Sequence, residues 1–240
     1  MTLSPRLSTV ANLVSHGHKI ADIGTDHAYI PIYLIKQKRI PYALAMDIHD
    51  GPLQVAKTNI SEAKLTDSIE IRQSNGLMNL KPYEVDSVIV AGMGGNLMIK
   101  ILSESWEVTS SLKECILQPQ SEIEKVRTFL VGQGFTFIKE EMIEDAGKYY
   151  PMMKVSPPSK FKTSADTDFV CEKWSDLELK LGKLLLESKN LSLKKFLLRE
   201  LMIKENILKK IERESGKHIK KRQKDILDEM EIIRAGLSHF

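Results

Sequence analysis

No apolar stretch approaches the roughly 18 residues that a membrane-spanning helix needs, so no membrane role is expected. The opening residues, "MTLSPRLSTVANLVSHG", lack the basic and apolar regions of a secretory signal. They read instead as a capped helix, with Ser4 at the N-cap, Pro5 in the first turn, and Leu7, Val10, Leu13 and Val14 on one face. Cysteine is scarce: Cys115 and Cys171 lie far apart, with no partnering His or Cys spacing. That argues against a disulfide framework and a zinc site, so no metal is expected and a cytoplasmic protein is the simplest reading. Cys115, in "KECILQP", reads as a small strand hydrophobe.

Glycine is short where a nucleotide loop needs it. "ADIGTDHAYIP", Ala21 to Pro31, has the form of a strand running into a nucleotide-cradling turn, yet it carries only Gly24. In a dinucleotide-binding loop a second glycine lets the backbone approach the pyrophosphate and a third packs helix on strand. Asp26 and Ala28 stand in those places here. A carboxylate beside a pyrophosphate is a like-charge contact, which counts against a nicotinamide dinucleotide. S-adenosylmethionine has no phosphate and carries an ammonium and a sulfonium, so Asp22 and Asp26 suit it. The bland alternative is a solvated turn with Asp26 and His27 as polar filler.

What is present gives that loop a setting. The chain has 240 residues, 42% hydrophobic and 28% charged, enough for a full core and a small appendage. Up to about Ser156, the β-type runs "HKIADIG", "YALAMDI", "SIEIRQS", "VDSVIVAG" and "KECILQP" alternate with helical patterns over Tyr29–Gln37, Pro52–Ala63, Gly95–Leu102 and Ser121–Val131. Such alternation predicts a doubly wound parallel sheet. "FTFIKEEMIEDAGKYYPMMKVSP" then supplies two strands around a Gly-containing turn. An antiparallel pair closing a Rossmann-like sheet is the plan of a class I S-adenosylmethionine-dependent methyltransferase.

The other loops fit the same ligand. Asp47 ends the second strand, 23 residues after Gly24, where an acid can hold both ribose hydroxyls, with Ile48 beside it. In "QSNGL", the Asn75 amide oxygen can accept from the adenine amine while Gly76 admits the ring; Asn-Gly is equally a plain turn. "IVAGMGG" places Ala91, Gly92 and Met93 at the carboxyl edge of the fourth strand, where open α/β sheets bind ligands. The Asn/Asp-Pro-Pro-aromatic sequence common in methylation of exocyclic adenine amines is missing there.

The segments "LSPRLSTVA", "ADIGTDHAYIPIYL", "DIHDGPL", "NGL", "AGMGGNLM" and "LQPQ" resemble the bacterial tRNA (adenine-22-N1)-methyltransferase family, TrmK, along nearly the whole chain. The resemblance implies methyl transfer from S-adenosylmethionine to N1 of a D-arm adenine in tRNA, and a coiled-coil domain at the C-terminus. Under it, the catalytic candidates are Asp26, for developing positive charge, Tyr29, for stacking on the target base, and Gly92 and Met93. Cofactor-binding candidates are Asp22, Gly24, Asp26, His27, Asp47, Ile48, Asn75, Gly76, Ala91 and Gly92. Arg6 is a tRNA contact by resemblance alone. His27 either hydrogen-bonds the cofactor or relays a proton.

Beyond "VSPPSKFKTSAD" the strands stop. The expected division is a catalytic domain over 1–158 and a helical, coiled-coil-like domain over 159–240. "DFVCEKWSDLELKLGKLLLESKN" reads as helix broken near Gly182. Leu193, Leu197, Leu201, Leu208 and Ile211, then Ile219, Ile226, Met230 and Ile233, keep a three-to-four spacing either side of Ser215-Gly216. That predicts an antiparallel helical hairpin, or else an ordinary amphipathic pair. From Glu172 onward there are 17 Lys and Arg against 12 Asp and Glu, so the basic charge lies in the tail. Lys194, Lys195, Arg199, Lys220, Lys221 and Arg222 are the candidate phosphate contacts, although a charge run is commonly just a solvated helix face. A monomer is favoured. Two alternatives stay open: a methyltransferase for another RNA or a small molecule, and a non-catalytic adenosyl-binding RNA-binding protein.

Overall fold

Ser4 caps the first helix, α1 (Pro5–Leu13): its hydroxyl accepts from the Leu7 amide, and Pro5 fills the first turn. The protein is described from a computed structural model covering residues 2–158, 173–211 and 217–240, except the side chains of 217–219. After α1 come β1 (Ile20–Ile23), α2 (Tyr29–Lys36), β2 (Ala43–Asp47), α3 (Asp50–Glu62) and β3 (Ile69–Gln73). Next are β4 (Ser87–Gly94), α4 (Gly95–Glu104), α5 (Trp106–Thr109), β5 (Glu114–Ser121), α6 (Ile123–Gly132), β6 (Thr136–Asp145) and β7 (Lys148–Ser156).

The seven strands form one sheet in the order β3-β2-β1-β4-β5-β7-β6. The first five pair in parallel, and β7 pairs antiparallel with both β5 and β6. This is the Rossmann-like sheet closed by an antiparallel hairpin that the sequence predicts. Strand order reverses between β1 and β4, so the loops after these strands diverge and leave a crevice at the carboxyl edge.

Hydrophobic cores on both faces of the sheet hold those loops in place. One packs Met98 and Leu102 of α4 and Val126 and Leu130 of α6 against Val88 and Val90. The other packs Val10 of α1, Ile30 of α2 and Ile60 of α3 against Ile20 and Ile89. Cys115 is fully buried in β5. At the opposite end of the sheet, buried Glu114 accepts from the Ser15 amide and hydroxyl and the Ser87 hydroxyl, and pairs with Lys154 Nζ at 2.9 Å.

Two local expectations are corrected. The helix expected from Ser121 begins at Ile123, because β5 runs on to pair Ser121 with Gly94. The short α5 has no counterpart in the sequence reading; four residues are too few to show a helical period.

Contacts group the chain into two units, Met1–Lys173 and Trp174–Phe240. The boundary expected after Pro158 adjoins residues 159–172, which with Cys171 lie outside the described residues, as does Ser215-Gly216. The second unit comprises α7 (Asp176–Leu181), α8 (Lys183–Glu187), α9 (Leu191–Ile211) and α10 (Lys217–Leu237). Ser175 and Glu178 form a reciprocal capping box for α7, and Gly182, at φ +96°, breaks α7 from α8. Helices α9 and α10 pair antiparallel: Leu197 lies against Gly236, and further along α9 Lys204 pairs with Glu229. Leu193 and Leu197 are buried on one arm and Ile226, Met230 and Ile233 on the other. Among the described residues no helix is long and apolar enough to cross a membrane.

Candidate active site

The loop after β1 is pinned to its neighbour by its own backbone. The Gly24 and Thr25 amides both donate to the Met46 carbonyl at the end of β2, at 2.8 and 2.9 Å. Gly24 takes φ +72°, and the Met93 side chain lies where a β-carbon would project. Ala28, at φ 54°, turns the chain into α2 with no side-chain cap. Asn59 of α3 steadies the turn by donating to the His27 carbonyl at 3.0 Å.

This loop presents three polar or aromatic groups as one wall. The Asp26 carboxylate lies 3.0 Å from His27 Nε2. The His27 and Tyr29 rings stack, with centroids 4.7 Å apart and planes 10° from parallel. Tyr29 is 39% exposed, so part of its ring stays open.

In front of the wall is a cavity of about 340 Å³. The β1 loop contributes Asp22, Gly24, Thr25, Asp26, His27 and Tyr29; β4 contributes Ala91 and Gly92; α1 contributes Arg6; and Gln120 closes the side from β5. Asp22 is buried, and its carboxyl is pushed up to about 6. Burial is the main cause; the nearby Thr25 hydroxyl opposes it and the Asp47 charge adds to it. The Thr25 hydroxyl is itself buried and completes no hydrogen bond of normal geometry. A buried acid and an unsatisfied hydroxyl in one cavity wall fit a ligand that brings cationic donors, as the ammonium end of S-adenosylmethionine does.

The other cofactor candidates stand outside this cavity, on the adjoining strand ends. Asp47 Oδ1 accepts from the His49 amide at 2.8 Å, and the Ile48 carbonyl accepts from Gln73 Nε2 at 3.0 Å. Asn75 is exposed beyond β3. Gly76, at φ +57°, lies so close to Ile101 that a β-carbon would come within 2.9 Å of it. Met93 does not line the cavity; it packs inward against the core and Gly24.

Two glutamines of "LQPQ" were not singled out as site residues. Gln118 is fully buried, and its Oε1 accepts from both Arg6 Nη1, at 2.9 Å, and the Gly92 amide, at 3.1 Å. It thereby ties α1 to the β4 loop. The Arg6 guanidinium also lies over the Tyr150 ring, 5.6 Å from its centroid, and forms no ion pair among the described residues. The hydrophobic run over 115–117 marked this segment as strand and hid both glutamines; only their recurrence around Pro119 was visible.

The remaining basic candidates belong to the helical unit. Lys195, Arg199, Lys220, Lys221 and Arg222 are exposed, whereas Lys194 is half-buried with its ammonium 5.8 Å from the Phe240 ring centroid. Among the described residues, no group of three or more His, Cys, Asp or Glu is arranged to hold a metal ion.

Residues 3–153 match the family model described as "Methyltransferase domain". The tRNA (adenine(22)-N(1))-methyltransferase of Bacillus subtilis (strain 168) is 30% identical over 241 residues, spanning 100% of this chain and 98% of the relative. The chain belongs to the TrmK family. M. capricolum TrmK, solved with the cofactor product S-adenosyl-homocysteine, superposes with a TM-score of 0.80 at 27% identity, covering 100% of this chain and 99% of that one. A Streptococcus pneumoniae protein in complex with S-adenosyl-L-methionine gives a TM-score of 0.83 at 28% identity, covering 98% of this chain and 100% of that one. The likeness to TrmK structures thus takes in the helical unit as well as the sheet.

Proposed function

We propose that this chain methylates N1 of the adenine at position 22 of tRNA, in the D-arm, with S-adenosylmethionine as donor. What carries the reading is the end-to-end similarity to the Bacillus subtilis enzyme, which omits neither unit. The acid-lined cavity supports it independently, because two carboxylates favour a cationic donor over a dinucleotide.

S-adenosylmethionine supplies an electrophilic methyl group on a sulfonium. Asp22 and Thr25 hold the ammonium end; Asp47 holds the ribose hydroxyls; Asn75, Gly76 and Ile48 border the adenine. Gly24, Ala91 and Gly92 keep the backbone close without side chains in the way. Adenine N1 has an in-plane lone pair and no proton to lose, so no base need act before transfer. The work left to the protein is alignment and stabilisation of the positive charge that develops on the ring. Asp26, kept in place by His27, supplies the negative charge that opposes it, and Tyr29 extends the His27 stack to the target base. Met93 holds the Gly24 turn from below.

The target base must leave a folded RNA, at a cost of a few kcal/mol. Arg6 at the cavity and Lys194, Lys195, Arg199, Lys220, Lys221 and Arg222 on the helical unit offset it through phosphate contacts. The catalytic domain over 1–158 and the tRNA-binding domain over 159–240 divide the two tasks in a cytoplasmic monomer. The direct test is a map of methylated adenines in tRNA incubated with and without the protein. N1-methyladenine should appear at position 22 only in its presence. Methylation of N6, or of a different adenine, would overturn the reading.

A further inference from the structure

Gln120 lines the cavity, and its side-chain amide forms no hydrogen bond among the described residues. Proline cannot donate to a strand ladder, so Pro119 inside β5 demands a break in pairing. The β4–β5 register shifts there, between Ala91 and Met93 and again between Met93 and Gly94. Such bulges re-aim side chains beside active sites. The two glutamines flanking Pro119 have opposite fates. Gln118 is fully buried, with its amide engaged by Arg6, Gly92 and the Pro119 carbonyl. Gln120 is exposed, lines the cavity and forms no hydrogen bond among the described residues. A β-carbon at Gly92 would lie 3.7 Å from its Nε2, so the amide hangs over the bare backbone of the β4 loop. The aromatic wall of His27 and Tyr29 lines the same cavity.

A flat base in that space needs a face to stack on and an edge to be read. A glutamine amide matches the N6/N7 edge of adenine, accepting from N6–H and donating to N7. That edge is the one that leaves N1 free. We infer that Gln120 reads the N6/N7 edge of the target adenine and so determines base specificity at this site. The inference rests on adenine being the acceptor, as proposed above. Its carbonyl oxygen, set against the N6 amine, also faces the atom that sheds a proton after methylation.

The test uses full-length tRNA carrying either adenosine or 7-deazaadenosine at position 22. The analogue keeps N1 and N6 but has no N7 acceptor. With the wild-type protein, the analogue should lower kcat/KM several-fold, because the N7 half of the bidentate contact is lost. Gln120→Ala, which removes both halves, should lose roughly tenfold or more on adenosine and show no further loss on the analogue. Any intrinsic change in N1 reactivity enters both proteins alike and cancels in that comparison. If Gln120→Ala is as sensitive to the analogue as wild type, or wild type is indifferent to it, the assignment is wrong. Failure of wild type to methylate adenosine-containing tRNA would instead overturn the proposed function itself. Because Gln120 is exposed, its loss should leave the melting temperature unchanged, which separates base reading from a structural defect.

Discussion

Asp22 lies two residues before Gly24, close enough for a sequence to mark it as a ligand, but its burial was not legible there. In the folded protein its carboxyl holds a proton up to about pH 6, while in the unfolded chain it loses it near the ordinary 3.8. Between those values the folded state binds more protons, so this group favours folding at low pH and that contribution fades as pH rises through 6. The effect is on the order of 2–3 kcal/mol. Melting curves without cofactor should show wild type losing stability relative to Asp22→Asn from about pH 4 to pH 6, then running parallel to it. Parallel profiles throughout would mean Asp22 does not titrate there. Asp26 calls for another test, since its side chain is 71% exposed and leans on His27. Asp26→Asn keeps the shape and removes the charge. Turnover at saturating cofactor should fall at least tenfold with the fold intact, as expected when an interaction made only in the transition state is lost. A raised cofactor KM with normal turnover would make it a binding group instead.

At the scale of elements, the strands β1 to β5 and their helices other than α5 were legible, because apolar strand runs, near-continuous in β1, β2, β4 and β5 and alternating in β3, lie between helical periods. The closing hairpin was legible from its turn and from the lack of any helix between its strands. What could not be read is how β4 and β5 continue past their apolar runs into the site. There Gly95 opens α4 against the neighbouring strand end, where a β-carbon would sit 2.5 Å from the Ser121 carbonyl and 2.9 Å from Val126. Backbone cannot step aside as a flexible side chain can. Gly95→Ala should therefore push β4 and β5 apart at the catalytic edge, costing about 1–3 kcal/mol. Calorimetry should show a melting temperature lower by several degrees. Gly132 is a useful control: it ends α6 with nothing within 4 Å of a β-carbon, so Gly132→Ala should not lower the melting temperature. Equal effects from both substitutions would discard the packing explanation.

For the whole molecule, the sequence marks a change of organisation near the Pro/Ser/Lys-rich stretch, and the helical unit carries charge and periodicity but no chemistry. Its burial pattern accounts for the periodicity: Leu193, Leu197, Ile226, Met230 and Ile233 are buried. The charge is left outside. Lys220, Lys221 and Arg222 are exposed and form no ion pair among the described residues, so folding of the hairpin does not account for them. If they neutralise tRNA phosphates, binding displaces condensed counterions, and log affinity should fall linearly with log salt at a slope set by the number of contacts. Replacing all three by Ala should flatten that slope by about two to three units for three lost phosphate contacts. Affinity for S-adenosylmethionine should not change, because the cavity residues lie in the first unit. A chain ending at Pro158 keeps the complete sheet and every loop of the cavity. It should still bind S-adenosylmethionine in a calorimetric titration while binding tRNA weakly and methylating it slowly. Equal tRNA affinity and turnover from the truncated and full chains would show that the helical unit serves assembly or stability, and sedimentation of the two would then reveal which.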